Sequence, residues 1–212
     1  MHQSLPGRGW SAMLLCAAVL LPAGLAAAQG ATPAPFPAAP AAGECVVAPR
    51  AVAEIAAVVA TPLSEVRTEA AATPLAIPAG EPADAATTEA VVATVRQVFA
   101  CTNAGDYRRV FASFSDDFLR DFLAGTPLSE EVIALFSAPP QALPVAEQRV
   151  IVRMGEVRLL PDGRAGVVVV LDEPDDPRVE EPDYVILIER DGRWLIDEIH
   201  EDGGAPTGTP TP

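Results

Sequence analysis

The side chains best suited to acid–base chemistry in this sequence lie at two places, and the first is a histidine near the C-terminus. His200 is followed directly by Glu201 and Asp202, and neighbouring carboxylates can tune an imidazole into a general base. The alternative is a solvated histidine at the end of a strand. We prefer this alternative because the residues that follow His200 are charged and typical of a protein surface.

The second place is a set of three aspartates, Asp106, Asp116 and Asp117. Two carboxylates that share a site can divide the roles of acid and base between them. Each of the three also stands where a helix is predicted to begin, and an aspartate there accepts a hydrogen bond from an unpaired backbone N–H. We therefore interpret all three as helix caps and not as catalytic groups.

An acidic run at residues 172–183 is a candidate calcium loop. It reads Asp-Glu-Pro-Asp-Asp over 172–176 and Glu-Glu-Pro-Asp over 180–183. This order lacks the alternating aspartates and the glycine of a dedicated calcium loop, so a solvated hairpin loop is the preferred interpretation. The sequence shows no metal-ligand cluster, phosphate loop or nucleophile motif, and we expect neither a metal nor a cofactor.

The elements that would position these residues are helices first. Apolar residues at helical spacing predict four helices, at about 84–103, 106–114, 116–125 and 129–136. Asp84 or Thr87 caps the first helix, and Asp116 or Asp117 caps the third.

Strands follow the helices. The predicted strands lie at 149–160, 165–171, 183–189 and 193–199. Pro-Asp-Gly at 161–163 and Asp-Gly at 191–192 are turn signals between them, and the strand at 165–171 is apolar on both faces, which predicts a central position. Helices followed by antiparallel strands predict an α+β fold, with helices packed on one face of a curved antiparallel sheet.

The chain divides into six parts. We predict a signal peptide at 1–28, a Pro/Ala-rich tether at 29–43, a short Cys-containing helical segment at 44–60, a linker at 61–83, the folded domain at 84–202 and a disordered tail at 203–212. The first part contains a charge-free apolar run that ends in small residues, so we expect cleavage before Gln29 and a secreted or cell-envelope protein. An uncleaved membrane anchor is the alternative. After cleavage we expect no stable membrane insertion.

The cysteines and the net charge restrict the protein further. Cys16 leaves with the signal peptide, and the remaining Cys45 and Cys101 most simply form one disulfide in an exported chain. Two buried thiols are the alternative. The net charge of −15 repels phosphate groups, so we expect neither nucleic acid nor an anionic membrane surface as a partner.

Three short motifs give the chain a resemblance to a known family. They are the turn Asn103-Ala104-Gly105-Asp106, the run Phe-Ser-Asp-Asp at 114–117 and the run Asp-Gly-Arg-Trp-Leu-Ile-Asp-Glu at 191–198. Their order and spacing resemble the nuclear transport factor 2-like superfamily, in its SnoaL-like branch, over about residues 85–200. The resemblance implies a cone-shaped fold with a pocket in its mouth. It carries over no catalytic residue, because no motif of the superfamily's enzymes matches this chain.

Two classes of function are compatible with this resemblance. We prefer a non-catalytic module that binds a small apolar ligand or another protein, and the alternative is a cofactor-free enzyme of the isomerase, cyclase or hydrolase class. The candidate pocket residues are aromatic: Tyr107, Phe111, Phe114, Phe118 and Trp194. Core packing is the alternative role for these side chains.

A homodimer is a further expectation. The segments 167–171 and 184–188 are apolar on both faces, and helices can cover only one face of a sheet. The second face is therefore a candidate dimer contact.

Overall fold

Helices precede an antiparallel sheet in the computed structural model of the chain, which describes residues 36–61, 80–172 and 182–200. The described helices are α1 (Val52–Ala60), α2 (Ala85–Asn103), α3 (Tyr107–Phe111), α4 (Asp116–Phe122) and α5 (Glu130–Ser137). The described strands are β1 (Glu81–Pro82), β2 (Val150–Met154), β3 (Arg158–Leu159), β4 (Ala165–Asp172), β5 (Pro182–Arg190) and β6 (Arg193–His200). The predicted α+β class is confirmed.

Several predicted segments lie outside the described residues. These are the signal peptide at 1–28, the first part of the tether, most of the linker, most of the acidic run, and the tail. The described residues all belong to one compact unit, Pro33–Pro212. Within them, no helix has the length and apolar character needed to cross a membrane.

The sheet has the order β1-β3-β4-β5-β6, and every pairing is antiparallel. β2 and β3 pair one after the other with the same edge of β4. The single strand predicted at 149–160 is therefore wrong. It is broken around Gly155, where a side chain would crowd the Val168 side chain at 3.3 Å, and the β2 register also shifts by one residue.

The last hairpin follows the Asp-Gly signal. Arg190 pairs with Arg193, which leaves Asp191 and Gly192 as a two-residue loop. Both have positive φ, 51° and 73°, as the hairpin turn that matches the twist of two strands requires. This predicted turn is confirmed.

Of the three candidate aspartates, Asp106 caps a helix as predicted, and Asp116 and Asp117 do not. Asp84 caps α2 by accepting the N–H of Thr87 at 2.7 Å, and Asp106 caps α3 in the same way. The cap of α4 is Ser115, whose hydroxyl accepts the N–H of Phe118 at 3.0 Å. The prediction that Asp116 or Asp117 caps this helix is therefore wrong, because the serine that precedes them is an equally good cap.

The core lies between the helices and one face of the sheet. Its buried residues include Val91 and Val95 of α2, alternate residues of β4 and β5, and Ile196 of β6. On the opposite face, Leu160, Tyr184 and Ile186 form a smaller cluster. This alternation follows from the two-residue period of a strand.

The opposite face has a close contact that requires a glycine. A Cβ built on Gly166 would lie 1.9 Å from the Tyr184 hydroxyl, so the tyrosine ring crosses the neighbouring strand at this point. Burial raises the pKa of the Tyr184 phenol, and two nearby arginines, Arg158 and Arg164, oppose the rise. Tyr184 and Ile186 are already 3% and 2% exposed in the single chain. The homodimer through this face stays a prediction, which light scattering would test.

The N-terminal segment packs on the domain instead of extending away from it. Ala38 and Ile151 exchange two backbone hydrogen bonds of 2.9 and 3.0 Å, and Pro40 is among the fully buried side chains. Cys45 and Cys101 form a disulfide, as predicted. The described part of the predicted tether thus belongs to the folded unit, because its apolar side chains find partners on the sheet and on α2.

Candidate functional site

A cavity of about 360 Å³ lies between α2, α3 and the helix-facing side of the sheet. Its volume is at the lower end of the range typical of small-molecule sites. Its walls are mainly aliphatic and aromatic. The lining residues are Val95, Val98, Phe99, Thr102, Tyr107, Val110, Phe111, Phe114, Phe122, Arg149, Val169, Leu171, Asp183, Val185, Ile196 and Ile199.

One wall of the cavity is an aromatic cluster centred on Phe111. Its ring centroid lies 5.2 Å from that of Phe136, in an edge-to-face arrangement, and 6.0 and 6.1 Å from those of Phe114 and Phe122. These are the separations at which aromatic rings attract one another beyond simple burial. The wall is therefore held in place by contacts among its own rings.

Three large side chains of the cavity lining remain in contact with solvent. Tyr107, Phe122 and Ile199 line the cavity and are 45%, 57% and 39% exposed. Large apolar side chains at this exposure are usually scattered singly over a protein surface. Here three of them line the same cavity, and exposed hydrophobic side chains that cluster are typical of interaction sites.

Two charged residues, Arg149 and Asp183, are part of the lining. Arg149 directly precedes β2, and Asp183 pairs with Val169 across β4 and β5. The other two polar residues are Thr102 and Tyr107, and the Thr102 hydroxyl already donates to the Val98 carbonyl at 3.0 Å. The charged pair thus supplies most of the hydrogen-bonding capacity that a ligand would meet.

The backbone of Arg149 is fixed by a buried amide. Asn103, which is fully buried, accepts the Arg149 N–H through Oδ1 at 2.8 Å and donates through Nδ2 to the Arg149 carbonyl at 3.1 Å. The same Nδ2 donates to the Pro40 carbonyl at 3.0 Å. Asn103 therefore joins α2, the start of β2 and the N-terminal segment, and it holds one charged residue of the cavity in place.

The rest of the turn at 103–106 is explained by local structure. Gly105 has φ +68°, and a Cβ there would lie 2.1 Å from the Gln141 carbonyl oxygen. Asp106 accepts the Arg109 N–H at 3.2 Å and pairs with its guanidinium at 3.0 Å. The motif that carries the family resemblance thus positions α3, which supplies one wall of the cavity.

The structure brings together three of the five predicted pocket residues. Tyr107, Phe111 and Phe114 line the cavity. Phe118 packs edge-to-face on Phe114, with centroids 4.8 Å apart, and Trp194 packs against the core cluster. Neither belongs to the lining.

The candidate acid–base residues are not among the residues that line the cavity. Asp116 pairs with Arg50 at 2.8 Å, and Asp117 pairs with Arg120 at 2.7 Å. His200 Nε2 lies 2.9 Å from the Glu198 carboxylate, and its side chain is half-buried. These contacts are ion pairs and hydrogen bonds of the fold. Glu201 and Asp202 lie outside the described residues.

A charged network joins the start of α4 to the sheet. Arg164 contacts the carboxylates of Asp162 at 2.8 Å, of Asp197 at 3.1 Å and of Glu198. Ser115 donates to the second oxygen of Asp197 at 2.8 Å. Burial lowers the pKa of the Arg164 guanidinium, but the three carboxylates outweigh burial and raise it. The pKa of Asp162 is lowered, chiefly because its carboxylate accepts the Arg164 backbone N–H.

Thirteen of the sixteen lining residues were absent from the sequence prediction, among them the aromatic pair Phe99 and Phe122 and the charged pair Arg149 and Asp183. The aromatic pair carried a signal, since each follows the helical spacing of its own helix. The charged pair carried none, because each is only the first residue of its predicted strand and belongs to no dedicated binding motif. Of the acidic run, only its two ends are described, and within the described residues no three His, Cys, Asp or Glu side chains form a metal-binding group.

Comparison with known proteins assigns no family to this chain. No family model, no curated protein and no solved structure matches it.

Proposed function

We propose that this chain is an exported binding protein whose domain holds one small, largely apolar molecule in the cavity. The observation that carries the proposal is the cavity itself, about 360 Å³ in volume and lined mainly by aliphatic and aromatic side chains, three of which are exposed to solvent. Small-molecule sites combine such walls with a few polar groups that fix orientation. Arg149 and Asp183 are those groups here.

Two further observations support the proposed setting of this site. The Cys45–Cys101 disulfide is stable in oxidising compartments outside the cytoplasm, in agreement with a cleaved signal peptide at 1–28. The order of helices and antiparallel strands agrees with a nuclear transport factor 2-like domain, in which a cavity between helices and sheet would be the binding site.

A second candidate function is a cofactor-free enzyme, and one observation favours it. Asp183 places a carboxylate among apolar cavity walls, and a carboxylate next to a bound ligand can transfer a proton. Measurable turnover on isomerase, cyclase or hydrolase substrates that Asp183→Asn abolishes, in a variant that stays folded, would replace the binding proposal with this one.

The binding proposal is tested with N-phenyl-1-naphthylamine, a neutral dye that fluoresces in apolar surroundings. We expect saturable binding to the oxidised protein with one site per chain. Val98→Phe puts a larger side chain into the cavity and should weaken binding about tenfold or more, since the phenyl ring takes the space of the dye. Val145→Phe is the matched control, because Val145 is 86% exposed and lies outside the lining.

Two results of the dye experiment would contradict the proposal. Dye binding that is absent, or that responds equally to Val98→Phe and Val145→Phe, would exclude the cavity as the site. Circular dichroism of each variant distinguishes a filled cavity from an unfolded chain. Val169→Phe, on the opposite wall, is a second variant with the same expected effect.

A further inference from the structure

The lining of the cavity contains one positive and one negative side chain. Arg149 and Asp183 are the two residues with a formal charge among those that line it, so the charges of the described lining cancel. We propose that the cavity selects neutral ligands that carry a hydrogen-bond donor and an acceptor together, and that it discriminates against both anions and cations with the same apolar body. This inference rests on the proposed function.

Both charges are attached to fixed backbone on opposite sides of β4. Val150, next to Arg149, pairs with Asp172 on one edge of this strand, and Asp183 pairs with Val169 on the other edge. The backbone N–H and carbonyl of Arg149 are both bonded to the buried Asn103 side chain. The backbone that carries each group is thus held on one edge of β4 before any ligand arrives, and both groups line the same cavity, which lowers the entropy cost of binding.

The chemistry of the two groups is complementary. A guanidinium offers only donors and a carboxylate only acceptors. Both side chains have interactions within the chain, but a guanidinium has five N–H donors and a carboxylate about four acceptor sites, which leaves capacity for a ligand. A neutral ligand with a carbonyl and an N–H or O–H, such as a carboxamide, offers an acceptor to the guanidinium and a donor to the carboxylate.

A charged ligand would disturb this balance. An anion is attracted by Arg149 and repelled by Asp183, and a cation experiences the reverse. Either ion must also lose most of its hydration in a site with mainly apolar walls, and a cancelled pair of charges cannot compensate that loss. The neutral ligand loses less hydration and keeps both hydrogen bonds.

The test is a series of ligands with one apolar chain and four different polar ends. Octanamide, octanol, octanoate and octylammonium each displace N-phenyl-1-naphthylamine from the oxidised protein at neutral pH. We expect octanamide to bind tightest, and about tenfold or more tighter than either ion. The affinity of octanol should lie between that of octanamide and those of the two ions, because its single hydroxyl cannot bond as well to both Arg149 and Asp183.

Two substitutions should change the selectivity in opposite directions. Arg149→Gln leaves the carboxylate in excess and should improve octylammonium binding about tenfold, whereas Asp183→Asn should improve octanoate binding by a similar factor. Arg153→Gln and Glu189→Gln are the controls. Both residues are exposed strand positions outside the lining, so the rank order of the four ligands should stay that of the unsubstituted protein.

The outcomes separate the two proposals. Absence of dye binding refutes the proposed function, and the selectivity inference falls with it. Dye binding with octanoate or octylammonium tighter than octanamide overturns the inference alone, and this result needs no variant. Variants that bind the dye but keep the original rank order overturn it as well, since the charges would then play no part in selection.

Discussion

At the scale of single residues, two glycines with positive φ allow the free-energy cost of a backbone conformation to be measured separately from the cost of a close contact. Gly105 has φ +68° and Gly125 has φ +77°, and Gly125 has open space where a Cβ would stand. Gly125→Ala should therefore cost only the conformational penalty of about 1–2 kcal/mol. Gly105→Ala should cost clearly more, because the new Cβ would lie 2.1 Å from a backbone oxygen of Gln141.

Urea unfolding of both glycine variants measures this difference directly. Because both substitutions are Gly→Ala at positive φ, the conformational cost cancels in the difference between the two free energies of unfolding. Equal losses in the free energy of unfolding would show that the close approach of 103–106 to Gln141 does not fix the position of α3.

Ser115 is a second residue with two separable roles. It caps α4 and donates to the buried Asp197 carboxylate at 2.8 Å. Ser115→Ala should lose about 1 kcal/mol for the cap and a further 1–3 kcal/mol, roughly, for the lost partner of a buried carboxylate. Ser129→Ala is the control, since Ser129 caps α5 and the other partner of its side chain, the Glu131 carboxylate, is exposed. A similar loss in free energy of unfolding for both variants would refute the second role of Ser115.

The sequence allowed the caps to be predicted only in part. Asp84 and Asp106 follow a linker or a glycine, so each is the natural first cap of its helix. At 115–117 a serine and two aspartates follow one another, and all three are good caps. The backbone conformation decides between them, and it depends on the contact of Ser115 with β6, which is distant in sequence.

At the scale of elements, the N-terminal segment is attached to α2 by a charged pair as well as by the disulfide. Glu44 accepts a hydrogen bond from the buried Arg96 guanidinium at 2.7 Å. Burial raises the pKa of Glu44, but Arg96 and the Ala41 N–H outweigh burial and lower it below the usual 4.5. A carboxyl with a lowered pKa stabilises the fold above its usual pKa, and this contribution is lost as the pH falls through the folded-state value.

The pH dependence of stability should therefore change when Glu44 is replaced. We expect Glu44→Gln to lower the melting temperature at neutral pH and to make it less sensitive to acid than that of the unsubstituted protein. Plotted against pH, the melting temperatures of the two proteins should converge below the folded-state pKa of Glu44. A constant difference between the two melting temperatures over the whole acid range would contradict the assigned role of the pair. Glu54→Gln, in an exposed position of α1, is the control.

The disulfide is the second attachment of this segment. It closes a loop of 56 residues and is buried, with Cys101 fully covered. Replacing both cysteines by alanine should lower the free energy of unfolding by about 2–4 kcal/mol, since the unfolded chain gains freedom. Denaturant unfolding of the oxidised protein and of the double variant measures the loss, and unchanged stability would show that packing alone holds the segment.

Elements with a regular apolar period were predictable from the sequence. The helix at 84–103 and the strands at 165–171 and 183–189 lie within two residues of α2, β4 and β5. The break between β2 and β3 was not predictable, because the strand pattern continues through Gly155. At the break, Gly155 lies close to the neighbouring strand, where a Cβ would stand 3.3 Å from the Val168 side chain.

At the scale of the whole molecule, the cavity depends on how the elements pack, and local patterns identify it only in part. Phe118 and Phe122 lie one turn apart on α4, and both contact Phe114, yet Phe122 alone of the two lines the cavity. Aromatic composition pointed to Tyr107, Phe111 and Phe114, which line the cavity, and their contact with a ligand stays a prediction. It could not show which turn of α4 faces the cavity, because that depends on the position of α4 on the sheet.

The most direct test of the central claim is nuclear magnetic resonance of valine methyl groups during titration with N-phenyl-1-naphthylamine. The account predicts saturable shifts, with contacts to dye protons, at lining valines on both walls, such as Val98, Val169 and Val185. It predicts no change at the exposed Val46 and Val145. Shifts confined to the exposed valines, or no shifts at any dye concentration, would contradict the claim that this cavity is the binding site.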